Sequence, residues 1–280
     1  MTAPSDAENR SSRKRARQQA ITEAVVIEGT VRIEQLVERF DTSLMTVHRD
    51  LDELEKRGLL RKSRGVATAT ATSLMESSEL YRSSRQAEEK EALAQRALEF
   101  VEPGQAIFLD DSTTVLPMAA LLGTKAPLTV ITNSLTLINE LTDVRGLTLL
   151  TLGGEYYNWC NAFMGAVTTE SIGHLRADVA IMSTAAVTDD VAFHQASVTA
   201  ETKRAMFSAA EQRILLVDHT KFQRRALHAI VPLADFDVVV VDARTPKALV
   251  TRLRGEGINV DVAQSGSRSK RDGSARQRRR

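Results

Sequence analysis

Residues 108–117 read FLDDSTTVLP, an apolar run that ends in two carboxylates and three hydroxyls. Paired aspartates can move a proton as general acid and base. Hydroxyls and unpaired backbone amides ahead of a helix can instead hold an anion, because the N–H groups and the helix dipole favour negative charge there. Asp110, Asp111, Ser112, Thr113 and Thr114 are therefore candidates for turnover or for binding alone. Other apolar runs end in similar chemistry. Thr132, Asn133 and Ser134 could meet a ligand hydroxyl, or could cap the next helix. Gly153 and Gly154 form a turn whose only ligand contacts would be backbone amides. Ser183 and Thr184 close a further run, and Asp218 opens another loop. Lys203 and Lys221 could pair with a phosphate or carboxylate. His219 could touch a ligand or bond within its loop, and Trp159 with Tyr156 and Tyr157 could line a pocket mouth or a subunit contact.

The elements around these residues alternate in type. QAEEKEALAQRALEFV (86–101) has Leu93, Ala94, Ala97, Leu98 and Val101 at helical spacing. Short apolar runs follow: AIFLDD, LTVITNS, LTLLTLGG, VAIMST, RILLVDH, DVVVVDA and NVDVA. Helical patterns fall between most of them, as at 134–143 and 199–212. ARTPKAL (243–249) reads as a Thr245 cap with Pro246 in the first turn. Apolar runs without alternation mark strands covered on both faces. This predicts an α/β domain with a mostly parallel sheet and helices on each side. In such sheets ligands bind beyond the C-terminal strand ends.

An earlier segment has a different pattern. In VRIEQLVERFDTSLMTVHRDLDELEKRGLL (31–60), Ile33, Leu36 and Val37 give a short amphipathic helix ending near Phe40. Asp41 and Thr42 suit a tight turn, and Ser43 suits the cap of a second helix. Val47, Leu51 and Leu54 form that helix's apolar face, leaving Thr46, His48 and Arg49 outside it near the N-terminal end. Gly58 then stops the helix, and a wing bearing Arg61, Lys62 and Arg64 follows. A helix-turn-helix presents such early residues, Ser43 among them, to base edges and phosphates. The predicted division is a disordered basic tail (1–12), a small winged helix-turn-helix domain (13–72), a linker (73–85), the α/β domain (86–263) and a second disordered basic tail (264–280).

Composition fits that plan. The chain has 280 residues, 42% apolar and 26% charged but only 4% aromatic, so its core is aliphatic. Residues 264–280 hold seven Lys or Arg and one Asp, so the net charge of +1 leaves 1–263 at −5. Basic ends on an acidic body suit a polyanion partner, or simply solubilise the chain. A single cysteine, Cys160, excludes an intrachain disulfide. No apolar run approaches the ~20 residues that span a bilayer, and no secretory signal is expected, which points to the cytoplasm without a membrane partner. The five histidines and Cys160 lack metal-ligand spacing, and no Gly-rich nucleotide loop occurs. No metal and no cofactor are expected.

FDTSLMTVHRDLDELEKRGLLRKSRG resembles the winged helix-turn-helix signature of the DeoR family of bacterial transcription regulators. His48 stands where the family has the first of two arginines, and Ser63, Arg64 and Gly65 replace its His-Gly-Gly. The resemblance continues at Asp110–Thr114, Thr132–Ser134, Gly153–Gly154, Ser183–Val187, Lys203–Met206 and Asp218–Phe222, in order. It implies a sensor domain similar to sugar-phosphate isomerases and aminosugar-phosphate deaminases. The implied protein is a regulator, a repressor by expectation, that binds operator DNA as a dimer or tetramer and responds to a small phosphorylated metabolite. The alternative is an isomerase or deaminase fused to a DNA-binding module. Ala185 stands where the isomerases keep a loop aspartate, and it cannot carry a proton. Ser112, Ser183 and Ala186 replace glycines of the family pattern, which implies a pocket of changed shape.

Overall fold

The computed structural model describes residues 30–56, 60–69 and 79–264, with 13–14, 16–18, 20–22, 24–25 and 28 before them. The two predicted tails (apart from Gln264), Gly58 and residues 70–78 lie outside the described residues.

The first unit is the expected winged helix-turn-helix. The described residues between 13 and 28 are helical. Strand β1 (Thr30–Arg32), helix α1 (Ile33–Arg39) and helix α2 (Leu44–Lys56) follow, then the wing strands β2 (Leu60–Ser63) and β3 (Val66–Ala69). The three strands form an antiparallel sheet in the order β1-β3-β2. Ile21, Val25, Ile33, Leu36, Val47, Leu51, Leu54 and Leu60 form one buried core. Ser43 caps α2 as expected, its Oγ accepting from Thr46 N at 3.2 Å. Arg64 and Gly65 turn the wing with φ of 45° and 81°. A two-residue hairpin with both central φ positive matches the twist of its strands.

Residues 79–84, inside the segment read as linker, form helix α3 (Glu79–Ser84). Glu79 fastens it to the second unit, its N donating to Trp159 O at 2.8 Å and its Oε1 accepting from Thr136 Oγ1 at 2.5 Å. Helix α4 (Ala87–Leu98) then opens the α/β domain.

All seven apolar runs become strands of one parallel sheet: β4 (Ala106–Leu109), β5 (Leu128–Thr132), β6 (Leu147–Thr151), β9 (Ala177–Ser183), β12 (Ala210–Val217), β14 (Val238–Asp242) and β15 (Val260–Ala263). Their order is β15-β14-β12-β9-β4-β5-β6. Residues alternate between two buried cores, with Ile107, Leu109, Val179 and Ile181 on one face and Phe108, Ala180, Met182 and Leu215 on the other. Leu93 and Ala97 of α4 cover the first face. Met206 of helix α8 (Ser197–Ser208) covers the second. The chain proceeds outward from β4 to β6, then returns to place β9 on the other side of β4. The crevice between the ends of β4 and β9 is thus the topological switch point, where this class of sheet binds ligands.

Several expectations change. The run after Thr114 gives only a three-residue 3-10 turn (Leu116–Met118) and the four-residue helix α5 (Ala119–Leu122). The 199–212 pattern is helical only to Ser208, because Ala210 already pairs with Ala177 in the sheet. Helix α9 (Lys247–Gly255) starts after Pro246, and the buried Thr245 Oγ1 has no hydrogen-bond partner among the described residues instead of capping it. Two small antiparallel sheets were not anticipated: β7 (Glu155–Tyr157) with β8 (Ala162–Met164), and β10 (Ala186–Thr188), β11 (Val191–His194) and β13 (His228–Pro232).

Gly154 holds the turn into β7. Its φ is +148°, and a Cβ there would lie 2.1 Å from Thr168 Oγ1 and 2.7 Å from Met164 O. Gly154→Ala should lower unfolding stability by about 1–3 kcal/mol through overpacking. A urea midpoint equal to the unsubstituted chain's would contradict this packing.

Candidate functional site

Two regions gather the predicted residues. The first is the exposed side of α2 with the wing. Arg49, Arg61 and Arg64 are exposed, and none pairs with a carboxylate among the described residues. Thr46 and His48 are half-buried, and Thr46 Oγ1 lies 2.8 Å from Ser43 Oγ. Lys62 is less available. Its ammonium pairs with Asp52, and its backbone N donates to Glu55 Oε1 at 2.8 Å. That lysine lowers the Asp52 pKa by its hydrogen bond and charge. Asp50 is withdrawn from the surface by Arg17 at 2.6 Å and Gln18 at 3.0 Å. The sequence reading omitted Leu44 and Met45, which are 51% and 62% exposed on the first turn of α2. Two exposed apolar side chains beside unpaired cations suit the thymine methyls and phosphates of a major groove.

The second region is the crevice at β4 and β9. Asp110 organises it. Its Oδ1 accepts from Ser112 N at 2.9 Å and from Ser112 Oγ. Its Oδ2 accepts from Ser183 N at 2.8 Å and from Lys203 Nζ. Asp111 Oδ1 lies 3.6 Å from the same ammonium. Burial pulls the Lys203 pKa down, but the carboxylates of Asp110 and Asp111 outweigh it and the net shift is upward. The loop's amide and the lysine predicted to meet a ligand anion are thus engaged by carboxylates already in the chain.

The remaining predicted residues divide. Ser112, Ser183, Thr184, Lys203 and Lys221 line a pocket of about 440 Å³, counting its open mouth, with Ala185, His194, Gln195, Arg82 and Arg224. Thr113 turns towards Lys90, which donates to its Oγ1 at 3.0 Å. Thr114 is buried nearby, outside the lining. Asp218 caps the turn His219–Gln223 through Thr220 N at 3.0 Å, and its Oδ2 is 3.9 Å from Lys221 Nζ. Thr132 and Ser134 are taken up by the backbone, and Asn133 only through its Nδ2, its buried Oδ1 having no partner among the described residues. Thr132 Oγ1 accepts from Ser134 N, Asn133 Nδ2 donates to Phe163 O, and Ser134 Oγ caps helix α6 (Leu135–Leu141). Gly153 O accepts from Thr168 Oγ1 at 2.7 Å, so the glycine pair shapes a turn and does not line the pocket. His219 bonds to Asp242, at the end of the neighbouring strand β14, at 3.1 Å. Trp159 stacks at 6.4 Å beside His194, and Tyr156 is 47% exposed.

The structure adds three cations that the sequence reading missed. Arg82 comes from α3, and its Nε and Nη2 are sealed from solvent without a hydrogen-bond partner among the described residues. Lys90 comes from α4, donating to Arg82 O and Thr113 Oγ1. Arg224 follows the turn that carries Lys221. Burial, with the charges of Lys221 and Arg82, lowers the Lys90 pKa to about 7. Burial lowers the Lys221 pKa to about 8 despite Asp218, with Arg224 and Arg82 adding to the effect. Six cations (Arg82, Arg85, Lys90, Lys203, Lys221, Arg224) and three carboxylates (Asp110, Asp111, Asp218) thus surround one crevice. The excess of cationic groups and the two sealed, unpaired nitrogens of Arg82 suit a compact anion. No group of His, Cys, Asp and Glu among the described residues could hold a metal. No helix of the described residues is long and apolar enough to cross a membrane.

Two family models match successive stretches of the chain. Residues 17–73 match the family model described as DeoR-like helix-turn-helix domain, and residues 85–243 match the DeoR C terminal sensor domain. The chain is 30% identical over 237 residues to the transcriptional repressor AccR of Agrobacterium fabrum, covering 84% of this chain and 92% of that one. It is 30% identical over 251 residues to the glycerol-3-phosphate regulon repressor of Escherichia coli, covering 88% and 98%. A solved ribose-5-phosphate isomerase in complex with phospho-erythronic acid aligns over 47% of this chain and 52% of its own, at 18% identity and a TM-score of 0.35. The chain belongs to the DeoR family of transcription regulators.

Proposed function

We propose that the chain is a repressor of genes for sugar or related carbon metabolism, released from its operator by a small phosphorylated metabolite in the β4/β9 crevice. The observation that carries this is the unpaired Arg82 guanidinium among the crevice's surplus cations. A phosphate monoester supplies the missing charge and acceptors in one group. Ser112, Thr184, Lys221 and Arg224 would complete its surroundings. The names of the relatives, among them a glycerol-3-phosphate regulon repressor and lactose phosphotransferase system repressors, fit this chemistry.

Sensing is favoured over turnover because most carboxylates near the crevice are committed, and Asp111 lies 3.6 Å from the Lys203 ammonium. Asp110 holds two loops and Lys203, Asp218 caps a turn, and Asp190 pairs with Arg252 outside the pocket. Ala185, on the pocket wall, has no proton to give. Binding also has a route to DNA. Arg82 lies on α3, directly after the stretch that joins the two domains. A ligand that pairs with Arg82 fixes this junction, and it regulates if the DNA-competent state holds the junction differently. On DNA, α2 would lie in the major groove with Thr46, His48 and Arg49 at base edges, and Arg61, Lys62 and Arg64 at the backbone. Two half-sites require at least a dimer.

Arg49→Ala should weaken specific operator binding about 10- to 100-fold with the fold retained. A mobility-shift titration that gives the same affinity as the unsubstituted chain removes α2 from the interface. The lysines make a second prediction. Their lowered pKa values mean that Lys90 and Lys221 are partly neutral between about pH 7 and 9. A bound dianion favours the charged forms, so binding takes up protons and affinity falls as pH rises through this window. Calorimetry of a bound sugar phosphate at pH 8, in buffers of different ionisation heat, should register net uptake; zero uptake would contradict a role for these lysines.

A further inference from the structure

The crevice also has a lining residue that is neither cation nor carboxylate. His194 closes β11 and lines the pocket, yet it is 5% exposed. Its Nδ1 accepts from Ala196 N at 3.2 Å. A ring nitrogen that accepts a backbone N–H carries no proton, so in the neutral imidazole the proton sits on Nε2. No group among the described residues pairs with Nε2, nor is it sealed within protein. Trp159 backs the ring at 6.4 Å and 33°, which fixes its plane.

Resting on the sensor reading above, we infer that His194 is a specificity-determining residue whose Nε2–H donates to an uncharged oxygen of the phosphorylated effector, a hydroxyl or a carbonyl. Two facts make this a neutral donor and not a second anion site. Burial, with the charges of Lys203, Arg82 and Lys221, holds the His194 pKa well below its ordinary value. A neutral imidazole supplies no charge to a phosphate or carboxylate set against it, and burying an anion without a charge partner is costly. The pocket therefore selects a monophosphorylated sugar or polyol, read by charge through its cations and by a single hydrogen bond at His194. Discrimination of this sort is strong, because a site built to donate leaves its donor unpaired with the wrong ligand.

The test uses the full chain and His194→Phe, which keeps a ring against Trp159 without the donor, and His194→Gln, which restores an amide donor at similar reach. Calorimetry measures inorganic phosphate, glucose 6-phosphate, fructose 6-phosphate, ribose 5-phosphate, glycerol 3-phosphate and fructose 1,6-bisphosphate against each. At least one monophosphate should bind the unsubstituted chain tighter than inorganic phosphate. His194→Phe should cut that margin about tenfold, with inorganic phosphate unchanged and most of the margin kept in His194→Gln. The inference is overturned if the margin survives in His194→Phe, if inorganic phosphate weakens equally, if no monophosphate exceeds inorganic phosphate, or if the bisphosphate binds best. If neither inorganic phosphate nor any sugar phosphate binds the unsubstituted chain, the sensor reading itself falls.

Discussion

Everything at the crevice depends on one buried ion pair, Asp110 with Lys203, whose side chains are 0% and 2% exposed. Two charges this far from water are tolerated only when each is paired and hydrogen-bonded. Asp110 meets that demand with the N–H and hydroxyl of Ser112, the N–H of Ser183 and the ammonium of Lys203. One carboxylate thereby ties the loop after β4, the end of β9 and the middle of α8. Removing either partner alone would strand the other, a loss of about 3–5 kcal/mol in comparable pairs. The pair also decides what the pocket can do. It consumes the carboxylate that could have served as a base, and it leaves the Arg82 guanidinium nitrogens Nε and Nη2 without a partner among the described residues.

Those cations arrive from separate parts of the chain. Arg82 lies on α3, Lys90 on α4, and Lys221 and Arg224 in and after the turn between β12 and β13. Burial, and then the neighbouring cations, lower the pKa of Lys90 to about 7 and of Lys221 to about 8. On the proposed reading, a dianion offsets both effects. The free energy so released is available to shift α3, and with it the junction to the DNA-binding domain, provided the two global states differ there. Fold, charge and regulation are in this way one problem: the sheet's switch point fixes the crevice, and the junction helix completes it.

Much of this was legible in the sequence. The seven core strands were visible because parallel strands covered on both faces are uninterrupted apolar runs. The α2 helix and its cap were visible because Ser43, Val47, Leu51 and Leu54 combine a cap with one apolar face. The short pairs β7–β8 and β10–β11–β13 were not, since strands of three to five residues carry too little pattern. Thr132 and Ser134 could equally have been ligands or local caps, and only the fold shows them spent on backbone. Arg82 hid in a Ser-rich stretch, and Lys90 in a helix whose charges look solvated. Nothing in the spacing of the five histidines singled out His194. Burial and direction, which spacing does not encode, separate these three from ordinary surface residues.

The central claim is that Arg82 couples an anion in the crevice to the DNA-binding domain. Arg82→Met keeps the side chain's apolar length and removes its charge. The measurement is release of operator DNA, followed by fluorescence anisotropy, as the sugar phosphate that best stabilises the unsubstituted chain is titrated. At 100 times its dissociation constant such a ligand should stabilise the chain by about 2.7 kcal/mol, which identifies it beforehand by thermal shift. The account predicts that Arg82→Met binds operator with unchanged affinity and no longer releases it at concentrations that free the unsubstituted chain. Release at the same concentration in both proteins would contradict it.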